Sequence, residues 1–182
     1  MAFNINQFTG AMKFGGARSS LFSIFISNPV NSAADITVPL LARAAQIPAS
    51  SITPVETHYF GRVVKFAGNR TYPEWTVTII NDEDLSIRNA LEEWSHAINT
   101  PQGNLRRFSA ASPALYKSDA QVTQYSKTGV PLRTYNFVGM WPSEIASIDL
   151  SFDAEGIQEF TTTFTFDYWY VLPGVTGSAG GQ

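Results

Sequence analysis

The sequence predicts a mostly β fold: an antiparallel β-sandwich or barrel with one flanking α-helix, over about residues 84–98. Two kinds of pattern carry the prediction. Several short segments mix aromatic and β-branched residues, some alternating apolar with polar side chains as half-buried strands do. One segment, and only one, repeats apolar residues at clear helical spacing. The 182 residues read as one domain over 1–182, with an N-terminal arm over 1–20 and a flexible glycine-rich tail over 173–182.

Residues 1–20 are polar, contain Gly10, Gly15 and Gly16, and read as an arm or loop. SLFSIFIS (20–27) reads as a strand. From Asn28 to Pro54 the chain is irregular, with prolines at 29, 39, 48 and 54, and LLARAAQI (40–47) fits strand or short helix equally. VETHYFGRVVKFAGNRTY (55–72) reads as a strand hairpin or long extended loop closing at Ala67-Gly68-Asn69. In WTVTII, Trp75, Val77 and Ile79 alternate with Thr76 and Thr78, the pattern of a half-buried strand. NDED (81–84) supplies helix N-cap candidates and acids that favour the positive helix end. Ile87, Leu91, Trp94 and Ile98 then follow at spacings of four, three and four, until Asn99, Pro101 and Gly103 end the helix.

A loop over 100–120 precedes two strands, from AQVTQYSK (120–127) and LRTYNFVGMW (132–141). The clearest hairpin comes last. Ala146, Ile148, Leu150 and Phe152 point one way and Ser147, Asp149, Ser151 and Asp153 the other; Ala154-Glu155-Gly156 turns the chain. Phe160, Phe164, Phe166, Tyr168 and Tyr170 then oppose Thr161, Thr163, Thr165 and Asp167, in a strand of about 11 residues or roughly 36 Å.

Composition narrows the function. Charged residues make up only 15% of the chain and aromatics 13%, which fits a surface partly covered by neighbours. All 12 basic residues lie at or before Arg133, giving +3 to that part; six acids and no base follow, giving −6, which argues against a nucleic-acid grip. Without cysteine, disulfides and thiolate metal sites are excluded. The first twenty residues lack the apolar run of a secretory signal, and no segment approaches the roughly 18 apolar residues of a membrane helix, so synthesis in the cytoplasm is expected.

No catalytic, cofactor or metal site is expected. His58 and His96 have no ligand pattern around them. FTGAMKFGG (8–16) lacks the Gly-Lys-Ser/Thr ending of a phosphate loop, and DAEG (153–156) is too short for a calcium loop. Asp82, Glu83, Asp84, Glu92 and Glu93 fit a helix start and a solvated face better than a glycosidase pair.

GNRTYPEWTVTIINDED (68–84) resembles the signature of the tail tube proteins of contractile-tailed bacteriophages: a Gly-Asp-Arg-Thr turn, a tryptophan-bearing strand, then an Asn-Asp-Glu corner before a helix. GGARSSLFSIFI (15–26), IPASSI (47–52), YKSDAQVTQYSKTG (116–129), FVGMWPSEIASIDLSFD (137–153) and IQEFTTTFTFDYW (157–169) resemble further stretches of that family, in order. Asn69 stands where Asp is common, and Pro73-Glu74 replace an acidic pair. On this resemblance Gly68, Arg70, Trp75, Asn81, Asp82, Trp94, Trp141, Tyr168 and Trp169 form the structural motif and core. The resemblance implies hexameric rings stacked into a rigid hollow tube inside a contractile sheath, through which the genome leaves. The implied partners are further copies of the chain, the tail sheath protein, baseplate or tube-initiator and terminator proteins, and a tape measure protein and DNA in the lumen, with no membrane partner. The implied location is the virion tail, after assembly in the host cytoplasm.

Residue chemistry adds two expectations. A conduit wall should not grip phosphates, so Ser147, Asp149, Ser151, Asp153, Thr161, Thr163, Thr165 and Asp167 are expected to face the lumen. Stacking needs projecting elements, and the arm 1–20 and the 55–72 hairpin, with Glu56, His58, Arg62, Lys65 and Asn69, are the candidates. The alternatives are a tube-initiator protein, the inner tube of a phage-derived injection machine, and, more distantly, a monomeric ligand-binding β-sandwich using Trp75, Trp94, Trp141 and Trp169.

Overall fold

The computed structural model describes residues 5–12, 15–106, 112–153 and 155–173. The tail beyond Pro173 and parts of the arm therefore lie outside the described residues, as does Ala154. Helix α1 spans Ile5–Ala11, strand β1 Phe22–Ile26, helix α2 Val38–Leu41 and strand β2 Ala42–Ala45. Strands β3 (Ser51–Tyr59), β4 (Arg62–Thr71) and β5 (Trp75–Ile80) lead to helix α3 (Ser86–Ile98). Strands β6 (Ser118–Tyr125), β7 (Pro131–Ile145), β8 (Glu159–Thr165) and β9 (Tyr168–Leu172) complete the fold.

Seven strands form one antiparallel sheet in the order β1-β6-β7-β8-β5-β2, with β9 on the other side of β7. The 15-residue β7 is what folds this sheet into two layers. Its first part pairs with β6 and with β9, Val138 facing Tyr168, whereas Trp141–Ile145 pair with β8. The change of partner falls at Gly139, whose φ of 69° belongs to the left-handed region that favours glycine. A Cβ there would stand 2.2 Å from Asp167 Oδ2, so the crossing has no room for a side chain. Asp167 fixes the same corner, donating its N–H to the Val138 carbonyl at 3.0 Å and accepting Lys117 Nζ at 2.7 Å.

Between the layers lies an aromatic core. Trp75 stacks on Phe137 with centroids 4.4 Å apart, and Phe137 meets Phe166 edge-to-face at 5.0 Å. Helix α3 contributes Ile87, Ala90, Leu91, Trp94 and Ala97 to buried positions, the predicted stripe widened by two alanines, with Ile98 at its margin. Indole N–H groups tie irregular segments to this core: Trp75 donates to the Gln46 carbonyl, Trp94 to Tyr116 and Trp169 to Ala49.

Several expectations need correction. The arm carries a short helix, α1, with no buried residue. LLARAAQI is both things it resembled, the end of α2 followed by β2. Helix α3 begins with Leu85 in the left-handed conformation and no side-chain cap; Asp82 instead accepts the Glu83 N–H in the preceding turn. The 55–72 ribbon does not close at Ala67-Gly68-Asn69. Tyr59 pairs with Arg62, so the turn is Phe60-Gly61, and Gly68 lies within β4 opposite the irregular register at Ile52–Pro54. There a Cβ would lie 2.4 Å from the Thr53 carbonyl oxygen, so glycine answers a close backbone approach rather than a turn.

The predicted final strand is two strands in different layers. Phe160, Thr162, Phe164 and Phe166 are buried in alternation. After Asp167 the phase inverts, so that Val171 is buried while Tyr168 and Tyr170 are exposed. Tyr168 is therefore not a core residue. Its predicted partner strand ends at Ile145, and 146–153 leave the sheet, with Leu150 84% and Phe152 fully exposed.

Candidate assembly surfaces

Three surfaces stand out, each set by register. The first is the outer face of the layer β2-β5-β8-β7. Across β5 and β8, Trp75 pairs with Phe164, Val77 with Thr162 and Ile79 with Phe160, all core-facing. The intervening pairs, Thr76 with Thr163 and Thr78 with Thr161, look outward, and Thr165 opposes Trp141 on β7. The result is a band of half-buried threonines with Glu144 and Glu159 at its margins; Arg43, the nearby base, is held by Glu159. Thr161, Thr163 and Thr165 thus share a face as the alternation predicted. Thr76 and Thr78 belong to it too, which the sequence could not reveal without knowing that β5 pairs with β8.

The other predicted members of that face separate from it. Asp167 sits at the corner between layers, ion-paired to Lys117. Ser147, Asp149, Ser151 and Asp153 lie in the exposed segment that follows β7, because no strand pairs with it beyond the Ala146 N–H bond to the Thr161 carbonyl.

The second surface is the β3–β4 ribbon, joined to no other strand among the described residues. Its pairing sorts its side chains into two faces. Val55 with Phe66, Thr57 with Val64 and Tyr59 with Arg62 form one, which is largely apolar and exposed. Glu56 with Lys65 and His58 with Val63 form the other, where the Glu56–Lys65 ion pair measures 3.0 Å. Asn69 and Arg70 sit near the base, and Arg70 donates to Ser50 Oγ at 3.0 Å. An isolated two-stranded ribbon is at best marginally stable in water, and an apolar face on one implies a partner surface. Phe60 at its tip is 90% exposed, and the turn composition at Gly68-Asn69 masks it in the sequence.

The third surface is the loop 146–158, at the end of the layer opposite the ribbon. Asn81 bridges it to α3's approach, donating its side-chain N–H to Gln158 Oε1 and its backbone N–H to the Gln158 carbonyl, both at 2.9 Å. Leu150 and Ile157 line a groove there with Ser147 and Asp149.

Among the described residues no group of three or more His, Asp or Glu could hold a metal ion, and no helix is long and apolar enough to cross a membrane. The four tryptophans serve packing: Trp75 and Trp94 are buried, and Trp141 and Trp169 pack against the core from its edge. A threonine-rich sheet face, an exposed amphipathic ribbon and a loop exposing both apolar side chains and acids are features of a structural protein that meets other protein surfaces.

The comparisons make the assignment specific. The phage tail tube protein family model matches residues 4–172, and the chain belongs to that family. It is 30% identical to the tail tube protein gp19 of Enterobacteria phage T4 over 168 residues, covering 91% of this chain and 98% of that one. It is 29% identical to the tail tube protein of Serratia phage KSP90 over 171 residues, 91% of this chain and 93% of that one. The fold is shared with a chain of the extended sheath–tube complex of the extracellular contractile injection system PVC, with a TM-score of 0.61 at 14% identity over 94% of this chain and 99% of that one. The chain is thus a tail tube structural protein of the contractile-phage type, a component of the virion.

Proposed function

We propose that six copies close into a ring with the threonine face turned to the axis, and that rings stack into the hollow tube through which the genome leaves. The observation that carries this reading is the band Thr76, Thr78, Thr161, Thr163 and Thr165 on one sheet face. Such a wall offers hydroxyls, and its neighbouring base, Arg43, is ion-paired to Glu159, so passing phosphates find little to grip. Ser147, Asp149, Ser151 and Asp153 then stand at a rim of the lumen rather than along it. The work is done by assembly, not by catalysis. The sheath surrounds the tube, initiator and terminator proteins bound its length, and a tape measure protein occupies the lumen before DNA does; assembly takes place in the host cytoplasm.

Replacing Thr76 and Thr163 by Lys tests the wall. Tails should form at wild-type yield, while DNA ejection slows in a way that rising salt relieves. Ejection at the wild-type rate at low salt rules out this face as the lumen. The β3–β4 ribbon is the proposed inter-ring element. Deleting residues 56–70 should abolish tube polymerisation while leaving soluble protein, and tubes of normal length from that variant refute the role.

A further inference from the structure

If rings stack through the β3–β4 ribbon, as proposed above, the next ring must offer it a seat, and three observations locate one. First, the ribbon and the loop 146–158 lie at opposite ends of β5. The ribbon leads into Trp75, whereas Ile80 at the other end pairs with Glu159, where the loop returns to the sheet. The six residues of β5 separate the two by about 20 Å. Contacts between unlike ends of identical subunits propagate as a stack, because each copy presents one of each.

Second, the ribbon's tip is built against local preference. Phe60 has φ 46° and Gly61 φ 78°, the conformation that two-residue hairpin turns fill with Asn-Gly or Gly-Gly. A phenylalanine there is strained and 90% exposed, and its ring meets that of Tyr59 edge-to-face at 4.6 Å. Third, the loop is complementary to the tip. Leu150 and Ile157 are 84% and 76% exposed beside Asp149, and among the described residues neither Asp149, Asp153 nor Glu155 enters an ion pair. The tip carries Arg62 next to its aromatics, likewise outside those pairs.

We infer that the Tyr59–Arg62 tip of one subunit seats in the groove formed by Ser147–Ser151 and Gly156–Glu159 of a copy in the adjoining ring, Phe60 against Leu150 and Ile157 and Arg62 against Asp149 and, at its edge, Asp153. The partner is a second copy of this chain, and the contact is aromatic at its centre and ionic at its rim.

Photocrosslinking from the tip tests this without removing its aromatic character. With p-benzoylphenylalanine at position 60, assembled tubes are irradiated and the adducts mapped by mass spectrometry. Adducts within 146–158, in a covalent ladder that runs past six copies, are expected. Adducts elsewhere overturn the seat while leaving the ribbon's inter-ring role to the deletion of 56–70, which separates the two failures. A ladder that stops at six places the contact within a ring and overturns the inference. Two further variants read the same contact. Phe60→Asn should leave the melting temperature of the free chain unchanged or higher, yet raise the critical concentration for polymerisation about tenfold; an unchanged critical concentration counts against the seat. Arg62→Glu should weaken polymerisation and Asp153→Arg restore it in the double variant, and failure of that rescue rejects the ionic rim.

Discussion

Gly139 and Asp35 show how much single residues are asked to do. At Gly139 a left-handed backbone coincides with the close approach of the Asp167 carboxylate, so Gly139→Ala adds conformational strain to a steric overlap. We expect a loss of about 3 kcal/mol in chemical denaturation. Combining it with Asp167→Ala should recover part of that loss, since the overlap vanishes and only the backbone strain remains. Asp35 accepts the Asn28 N–H, but burial dominates and raises its carboxyl pKa from the ordinary 3.8, against the lowering effect of that bond. A carboxyl that resists ionisation in the fold costs stability as pH climbs from 3.8 through its raised value. Asp35→Asn keeps the acceptor and removes the charge. Its melting temperature should exceed the wild type at pH 7, and the difference should vanish below pH 3.8.

At the scale of elements, what was legible in the sequence depended on how local its cause was. Helix α3 was readable because its stripe is a property of one segment, and β5 because alternation is too. The N-terminus of α3 is less legible, because acids before a helix need not cap it: a left-handed Leu85 starts α3, with Asp82 turned to the preceding loop. Alternation along Phe160–Phe166 was correct. The inversion after Asp167 arises from a crossing with Gly139, distant in sequence, which no window around position 167 contains. The same non-locality hid half the threonine band, since Thr76 and Thr78 join Thr161 and Thr163 only through the β5–β8 register. The ribbon is legible in the sequence, but its turn is not. Gly68-Asn69 has turn composition, whereas Phe60-Gly61 has half of it; Gly68 is instead demanded by the Thr53 carbonyl.

For the molecule as a whole, a sheet folded into two layers leaves one end for the ribbon and the other for the loop, so the subunit is polar along β5. A polar subunit makes a directional tube. The ribbon adds something of a different kind. Its strands are exposed nearly throughout, which leaves their ladder hydrogen bonds open to solvent. Amides of Val55–Tyr59 and Val63–Ala67 should therefore exchange with deuterium readily in the free chain and at least tenfold more slowly in assembled tubes, the core amides of β5 serving as the reference. Equal protection in both states would contradict this. A ribbon that must be stiffened by its neighbour carries an ordering cost into the first contacts of every new ring. Free subunits then meet a lag before they polymerise, while a ring already in place removes it. If the hairpin joins rings as proposed, it also acts as a timer, discouraging subunits from starting tubes where no template stands.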